Sequence, residues 1–213
     1  MKSLPPIVQA TRPQADVPED YWSFDEASAM VETGQPKVAF ILRWCGTGRV
    51  LDLGCNDGGI AHRIRQGGAN VIAADRWPYA QVASRKYGLP AVALDANQKL
   101  PFDDGAFDAV VISGLLEYLD EPSKLLAEAR RVVNPSGRLV LVAVNPNSIY
   151  HKYMLWRGNS FLYKSTCNLI ELRRMLAATG FSVRTSCRLP YLSLRWRGRC
   201  PRSIQRCRYP RPW

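Results

Sequence analysis

The stretch "VLDLGCNDGG", Val50–Gly59, decides how this chain is read. Three apolar residues around an acid lead into a glycine-rich turn, and the following "IAHRIRQ" has helical spacing. A bend stripped of side chains at the end of a buried strand lets the backbone take positive φ and approach a ligand closely. Asn56 interrupts the glycines, but asparagine is among the few residues that tolerate the left-handed region.

Outward from this turn, strand and helix signals alternate. "RVLDLG" predicts a first buried strand and "IAHRIRQ" a helix ending at Gly67-Gly68. "NVIAAD" predicts a second strand, and residues 78–87 a helix with Pro78 in its first turn and Gly88 just past its end. "PAVALD" and "FDAVVIS" predict a third and a fourth strand. "EPSKLLAEARRVV" carries Leu125, Leu126, Ala129, Val132 and Val133 on one helical face. "NPSG" then predicts a turn into a fifth strand, "RLVLVAV". The last helix, "NLIELRRMLAATG", places Asn168 and Glu171 at capping-box spacing, and "FSVRTSCRL" predicts a sixth strand. Ahead of the first strand, "SFDEASAMV" and "VAFILRW" predict one or two helices broken near "TGQP". Near-continuous Val/Ile/Leu strands between helices specify an α/β fold: a Rossmann-like, doubly wound, mostly parallel sheet flanked by helices.

The 213 residues fit one domain with a full core. The expected division is a disordered lead-in over 1–20, the domain over 21–191 and a basic tail over 192–213. The formal net charge of +11 would suggest a nucleic-acid or anionic-membrane partner, but seven arginines between Arg195 and Arg211 account for all but +4 of it. The basic signal is a tail property, read as a solvated appendage, so nucleic acid is not the expected partner. No apolar run approaches the ~18–20 residues of a membrane span, and the opening lacks the apolar core of a signal peptide, so the expected location is the cytoplasm. The six cysteines contain no C-x-x-C pair, which supports neither a zinc site nor a disulfide framework; no metal is expected.

In an open parallel sheet, ligands lie beyond the carboxyl ends of the strands. A dinucleotide site would need G-x-G-x-x-G, and here Asn56 stands at the middle glycine. Asp75, at the end of the second strand, would grip a ribose in either a dinucleotide or an adenosyl site, so it does not discriminate between them. Further along, "ALDANQKLPFDDGAFDAVVISGLLEYLDEPSKLLAEARRVVNPSGRLVLV" and "LIELRRMLAATGF", together with "VLDLGCNDGG" and "VIAAD", resemble the class I S-adenosylmethionine-dependent methyltransferases. The resemblance is to the type 11 group that includes the ubiquinone and menaquinone C-methyltransferases, and it covers roughly residues 49–181. It departs from the family pattern at Asn56, where a glycine is usual.

The resemblance implies S-adenosylmethionine as cofactor and places its contacts. Asp52 would order the loop or reach the cofactor's amino group through water. Gly54 and Gly58 would let the backbone lie against the methionyl and ribose portions, and Asp75 would accept from both ribose hydroxyls. Arg76 or Trp77 would flank the adenine. Asp95 would accept from the adenine amino group with the Ala96 backbone beside it, and Ser113 would sit near the sulfonium. The expected activity is methyl transfer to a small-molecule acceptor by in-line displacement, the nucleophile being O, N or C. Glu117, Tyr118 and His151 are the candidate catalytic residues; Tyr118 stands where relatives often carry histidine. Tyr150, Tyr153 and Trp156 are candidates for an apolar pocket wall, and Lys152 and Arg157 for binding an acidic substrate. A methyltransferase-like protein that binds the cofactor but acts as a regulatory partner is the alternative, and the sequence sets no oligomeric state.

Overall fold

A computed structural model describes residues 36–156 and 163–187 of the chain. The expected lead-in, the helix over "SFDEASAMV", Arg157 and the basic tail lie outside the described residues, as does the side chain of Tyr150.

Helix α1 (Pro36–Cys45) precedes strand β1 (Arg49–Leu53), followed by α2 (Gly59–Gln66), β2 (Asn70–Asp75), α3 (Tyr79–Tyr87) and β3 (Ala91–Ala93). After a longer connection come β4 (Phe107–Ser113), a single 3₁₀ turn over Leu116–Tyr118, α4 (Pro122–Val132) and β5 (Val133–Val142). Helices α5 (Ile149–Trp156) and α6 (Leu169–Ala178) complete the described elements. The five strands form one all-parallel sheet in the order β3-β2-β1-β4-β5. The order reverses between β1 and β4, which opens the crevice where ligands of such sheets bind.

Alternation along β1 separates two cores. Val50 packs with Ile41 of α1, Ala61 and Ile64 of α2, and Ala80 and Ala83 of α3. Leu51 and Leu53 face the other side, with Leu125, Leu126 and Ala129 of α4 and Leu176 of α6. Both faces are covered, which is why the strands read as unbroken apolar runs rather than as an alternating pattern. The expected caps are present: Gly88 closes α3 with φ +59°, and Asn168 and Glu171 form a reciprocal capping box on α6.

Two expectations need correction. "NPSG" is not a clean turn ahead of the fifth strand. Val133 already pairs with Phe107, pairing resumes at Arg138 opposite Ala109, and the intervening residues bulge from the ladder. The expected sixth strand does not form over its described part, residues 181–187. The alternation of apolar and polar residues is there, but no neighbouring strand supplies the hydrogen bonds that would define it. Among the described residues β5 is therefore an edge strand.

Candidate cofactor and acceptor site

The glycine turn follows β1 at the crevice. Gly54 takes φ +79°, Asn56 φ +50° and Gly58 φ +85°, so the asparagine does occupy the left-handed conformation. Its amide donates to Asp75 Oδ2 at 2.7 Å, while Arg76 N–H donates to Asp75 Oδ1 at 2.7 Å. Asp75 thus ties the turn to the end of β2, and each of its oxygens keeps a lone pair for a ligand. Burial raises its pKa, opposed by these two amides and by Arg76.

The space freed by the missing side chains is taken up by protein rather than left bare. A Cβ on Gly54 would meet the Leu115 side chain at 3.0–3.3 Å, and one on Gly58 would meet the Ala83 Cβ at 2.7 Å. Gly58 therefore brings α2 against α3, and Gly54 lets the loop after β4 close onto the turn. Asp57, absent from the sequence-based candidates, is buried and accepts from Gly59 N–H at 3.1 Å and from Lys86 Nζ at 2.8 Å. It fixes the turn from beneath.

Asp52 points to the α1–α2–α3 face of the sheet and is fully buried, and its Oδ2 has no hydrogen-bond partner. Desolvation and the neighbouring Asp75 push its pKa up to about 7; the Ala61 amide and Lys37 oppose them. An orphaned buried carboxylate oxygen beside a left-handed glycine turn is a polar group awaiting a cationic or hydrogen-bonding ligand. On the same rim, Leu94 N–H donates to the Asp75 carbonyl at 2.9 Å, which places Asp95 beside Asp75. Asp95 accepts from Asn97 N–H at 2.9 Å, and Ala96 is buried next to it. Arg76 and Trp77 are exposed at the end of β2. Ser113 ends β4, where Ile112 pairs with Leu53, so it stands level with Gly54. Asp95, Asp75, Gly54 and Ser113 thus follow one another at neighbouring strand ends along one rim, whereas Gly58 is packed against α3 and Asp52 is buried within β1; the carboxylates of this rim fit an adenosyl ligand with a cationic end.

The candidate catalytic residues gather around the loop that follows β4. Glu117 is buried; its Oε1 accepts from Val144 N–H, its Oε2 has no partner, and desolvation raises its pKa. Its carbonyl accepts from Lys164 N–H at 2.7 Å and from Ser165 N–H at 3.2 Å. Glu117 therefore joins the loop after β4 to the ends of two later segments. His151, on α5, is 8% exposed and stacks on Tyr163 at 6.0 Å, and Tyr118 meets the same ring edge-on at 5.4 Å. Tyr163 is the partner that sequence reasoning missed. Tyr153 and Trp156 are both exposed, with Trp156 at 80%, so neither walls an enclosed pocket. Lys152 is also exposed. The second histidine, His62, lies on α2 stacked on Tyr87, away from this cluster. Among the described residues no group of acids, histidines and cysteines could hold a metal ion, and no helix is long and apolar enough to cross a membrane.

The position of Glu117 predicts a difference between two variants. Glu117→Ala leaves the Val144 N–H without its acceptor in a buried place, at a cost of about 1–3 kcal/mol. Glu117→Gln keeps an acceptor and should lose clearly less. Chemical denaturation of the two variants checks this.

Known proteins share the family sequence and the fold. Residues 51–141 match the methyltransferase domain family. The demethylmenaquinone methyltransferase of Thermus thermophilus is 34% identical over 165 residues, covering 64% of this chain and 75% of that protein. The ubiquinone biosynthesis O-methyltransferase of Pseudomonas aeruginosa is 31% identical over 105 residues, 46% of this chain and 45% of that protein. Against several mycobacterial methyltransferases, too, the chain spans only about half of the relative's length. An S-adenosylmethionine-dependent methyltransferase of Thermotoga maritima superposes with a TM-score of 0.64 at 21% identity, covering 75% of this chain and 77% of that one, which shows a common fold. The chain belongs to the class I S-adenosylmethionine-dependent methyltransferases, and it is an enzyme of that family.

Proposed function

We propose that the protein transfers a methyl group from S-adenosylmethionine to a small planar acceptor held between the loop after β4 and helix α5. The observation that carries this reading is the alignment of Asp75, Asp95 and Ser113 at neighbouring strand ends of one rim, with the Glu117–Tyr118–Tyr163–His151 cluster built around the loop that follows Ser113. When bound, the cofactor supplies a methyl group activated on a positively charged sulfur. The protein's task is then to align an acceptor and exclude water, which can supply about 7–11 kcal/mol of the barrier.

In this reading Asp75 accepts from the ribose hydroxyls, Asp95 and the Ala96 backbone hold the adenine edge, and Ser113 lies near the sulfonium. Arg76 or Trp77 flanks the ring. Tyr163 orients the His151 ring, Tyr118 borders the acceptor, and His151 takes the acceptor's proton as a general base. Glu117 acts through the loop it ties down. Two relatives are named demethylmenaquinone methyltransferase and ubiquinone biosynthesis O-methyltransferase, which agrees with a planar acceptor and favours catalysis over a purely regulatory role. Incubating the protein with radiolabelled S-adenosylmethionine and a panel of phenols, quinols and aromatic amines tests this. Label transfer to a panel member is the expected result. Binding of cofactor with no transfer to any class would favour the regulatory alternative.

A pH dependence follows from Asp52. Its carboxyl titrates near 7 in the free protein, faced by Asp75 and Lys37 and by the Cys45 and Cys55 thiols. A cationic ligand binds the ionised form better, so binding releases a proton below that value. Between pH 5.5 and 7, affinity should rise about tenfold per pH unit and then level off, up to the titration of the ligand's own α-amino group at roughly 7.7–8.0. Calorimetric titration across this range checks it, and Asp52→Asn should flatten the profile. For stability the sign is opposite. A carboxyl whose pKa is raised on folding favours the folded state at low pH, and that contribution is lost as pH rises from about 4 through 7.

A further inference from the structure

Lys164 fastens the segment that carries Tyr163 to the loop after β4. Its N–H donates to the Glu117 carbonyl at 2.7 Å, and the Ser165 N–H donates to the same carbonyl at 3.2 Å. The Ser165 hydroxyl donates to the Leu116 carbonyl at 3.1 Å. The Lys164 ammonium then donates to both carboxylate oxygens of Asp120, at 2.8 and 2.9 Å. Asp120 is itself held. Its N–H donates to Asn97 Oδ1 at 3.3 Å, and Asn97 Nδ2 donates to Asp95 Oδ1 at 3.2 Å, which ties this anchor to the connection after β3. The grip of Lys164 on Asp120 therefore sits directly beside Tyr163. On that ring His151 stacks at 6.0 Å with the planes 15° apart, and Tyr118 meets it edge-on.

Stability does not account for this pair. Its side chains are 52% and 62% exposed, and water and salt screen an ion pair so placed until it contributes little to folding. What the pair fixes is direction. The carbonyls of Leu116 and Glu117 locate residues 164 and 165 at one place on the loop, and a segment held at one place can pivot. The bond to Asp120 adds a second fixed point three residues further along the loop, and two points set the direction in which the neighbouring Tyr163 presents its ring. We propose that Lys164 is a positioning residue for the acceptor side: by gripping Asp120 it seats Tyr163 on His151 and so sets where the base stands. The assignment rests on the base role given to His151 above.

The chain holds two histidines, and His62, stacked on Tyr87, serves as an internal reference. In proton NMR spectra of the full chain, Lys164→Met and Asp120→Asn should each move the imidazole signals of His151 and leave those of His62 in place. Lys164→Arg should restore the wild-type positions. In about 1 M salt, where the screening length falls to about 3 Å, the wild-type His151 signals should move toward those of Lys164→Met. By isothermal titration, Lys164→Met should bind S-adenosylhomocysteine within about twofold of wild type, while kcat for label transfer to an acceptor from the panel above falls about two- to fivefold, the range an exposed ion pair supplies. His151 signals that stay put in Lys164→Met would overturn the proposal. So would signals of both histidines moving together, or a cofactor affinity that falls as far as kcat does, since those mark a general loss of structure. Unchanged kcat would overturn it too. A wild-type protein that transfers label to no panel member would instead overturn the base role of His151, and this assignment with it, whatever the spectra show.

Discussion

Replacing Asp75 by alanine is expected to weaken S-adenosylmethionine binding by about a hundredfold or more. A carboxylate accepting from two ribose hydroxyls makes two charge-assisted hydrogen bonds, each worth about 1.5–3 kcal/mol. Their joint loss corresponds to about 10²–10⁴ in affinity. Asp75 also accepts the Asn56 and Arg76 amides, so the variant loosens the turn as well as removing a ligand contact. Asp75→Asn separates the two effects. The asparagine keeps one acceptor and much of the shape, so binding should fall by an intermediate factor while thermal stability stays closer to wild type. Calorimetric titration of both variants decides the matter, and an Asp75→Ala protein binding within threefold of wild type would remove Asp75 from the site.

The largest expected effect on stability is at Gly58. Its φ of +85° disfavours any side chain by about 1–2 kcal/mol. An alanine Cβ there would also lie 2.7 Å from the Ala83 Cβ and 3.0 Å from the Ala83 Cα and from Leu89. Backbone of α3 cannot yield as a flexible side chain does, and overpacking of this kind costs about 1–3 kcal/mol. Gly58→Ala should therefore destabilise the protein by about 2–5 kcal/mol in urea or thermal unfolding. Gly88→Ala is the control. Its φ is +59° but a Cβ there meets nothing within 4 Å, so only the conformational cost of about 1–2 kcal/mol applies. Asn56→Gly should be nearly neutral, because its backbone already holds the conformation glycine prefers. Equal losses for Gly58→Ala and Gly88→Ala would refute the packing role given to Gly58.

These glycines show how far the sequence could be read. That the turn bends through left-handed conformations, with Asn56 among them, followed from residue type alone. What would fill the freed space did not, because Leu115 and Ala83 approach from elements remote in the chain. Strands over 70–75 and 107–113 and the caps at Gly88 and Asn168 were legible for the same reason: each is set by local pattern. Residues 181–187 carry a strand pattern too, yet a strand exists only through a neighbour's hydrogen bonds. Asp75 and Asp95 could be named as candidates from their places at the ends of the second and third strands. Tyr163, stacked on His151, could not, since only tertiary structure brings it there.

A crystal structure with S-adenosylhomocysteine tests the central claim most directly. The account predicts both ribose hydroxyls within hydrogen-bond distance, about 2.5–3.0 Å, of Asp75, and the adenine beside Asp95 and Ala96. A nucleoside bound elsewhere, or Asp75 holding only its two backbone amides while the ligand lies outside the crevice, would contradict it.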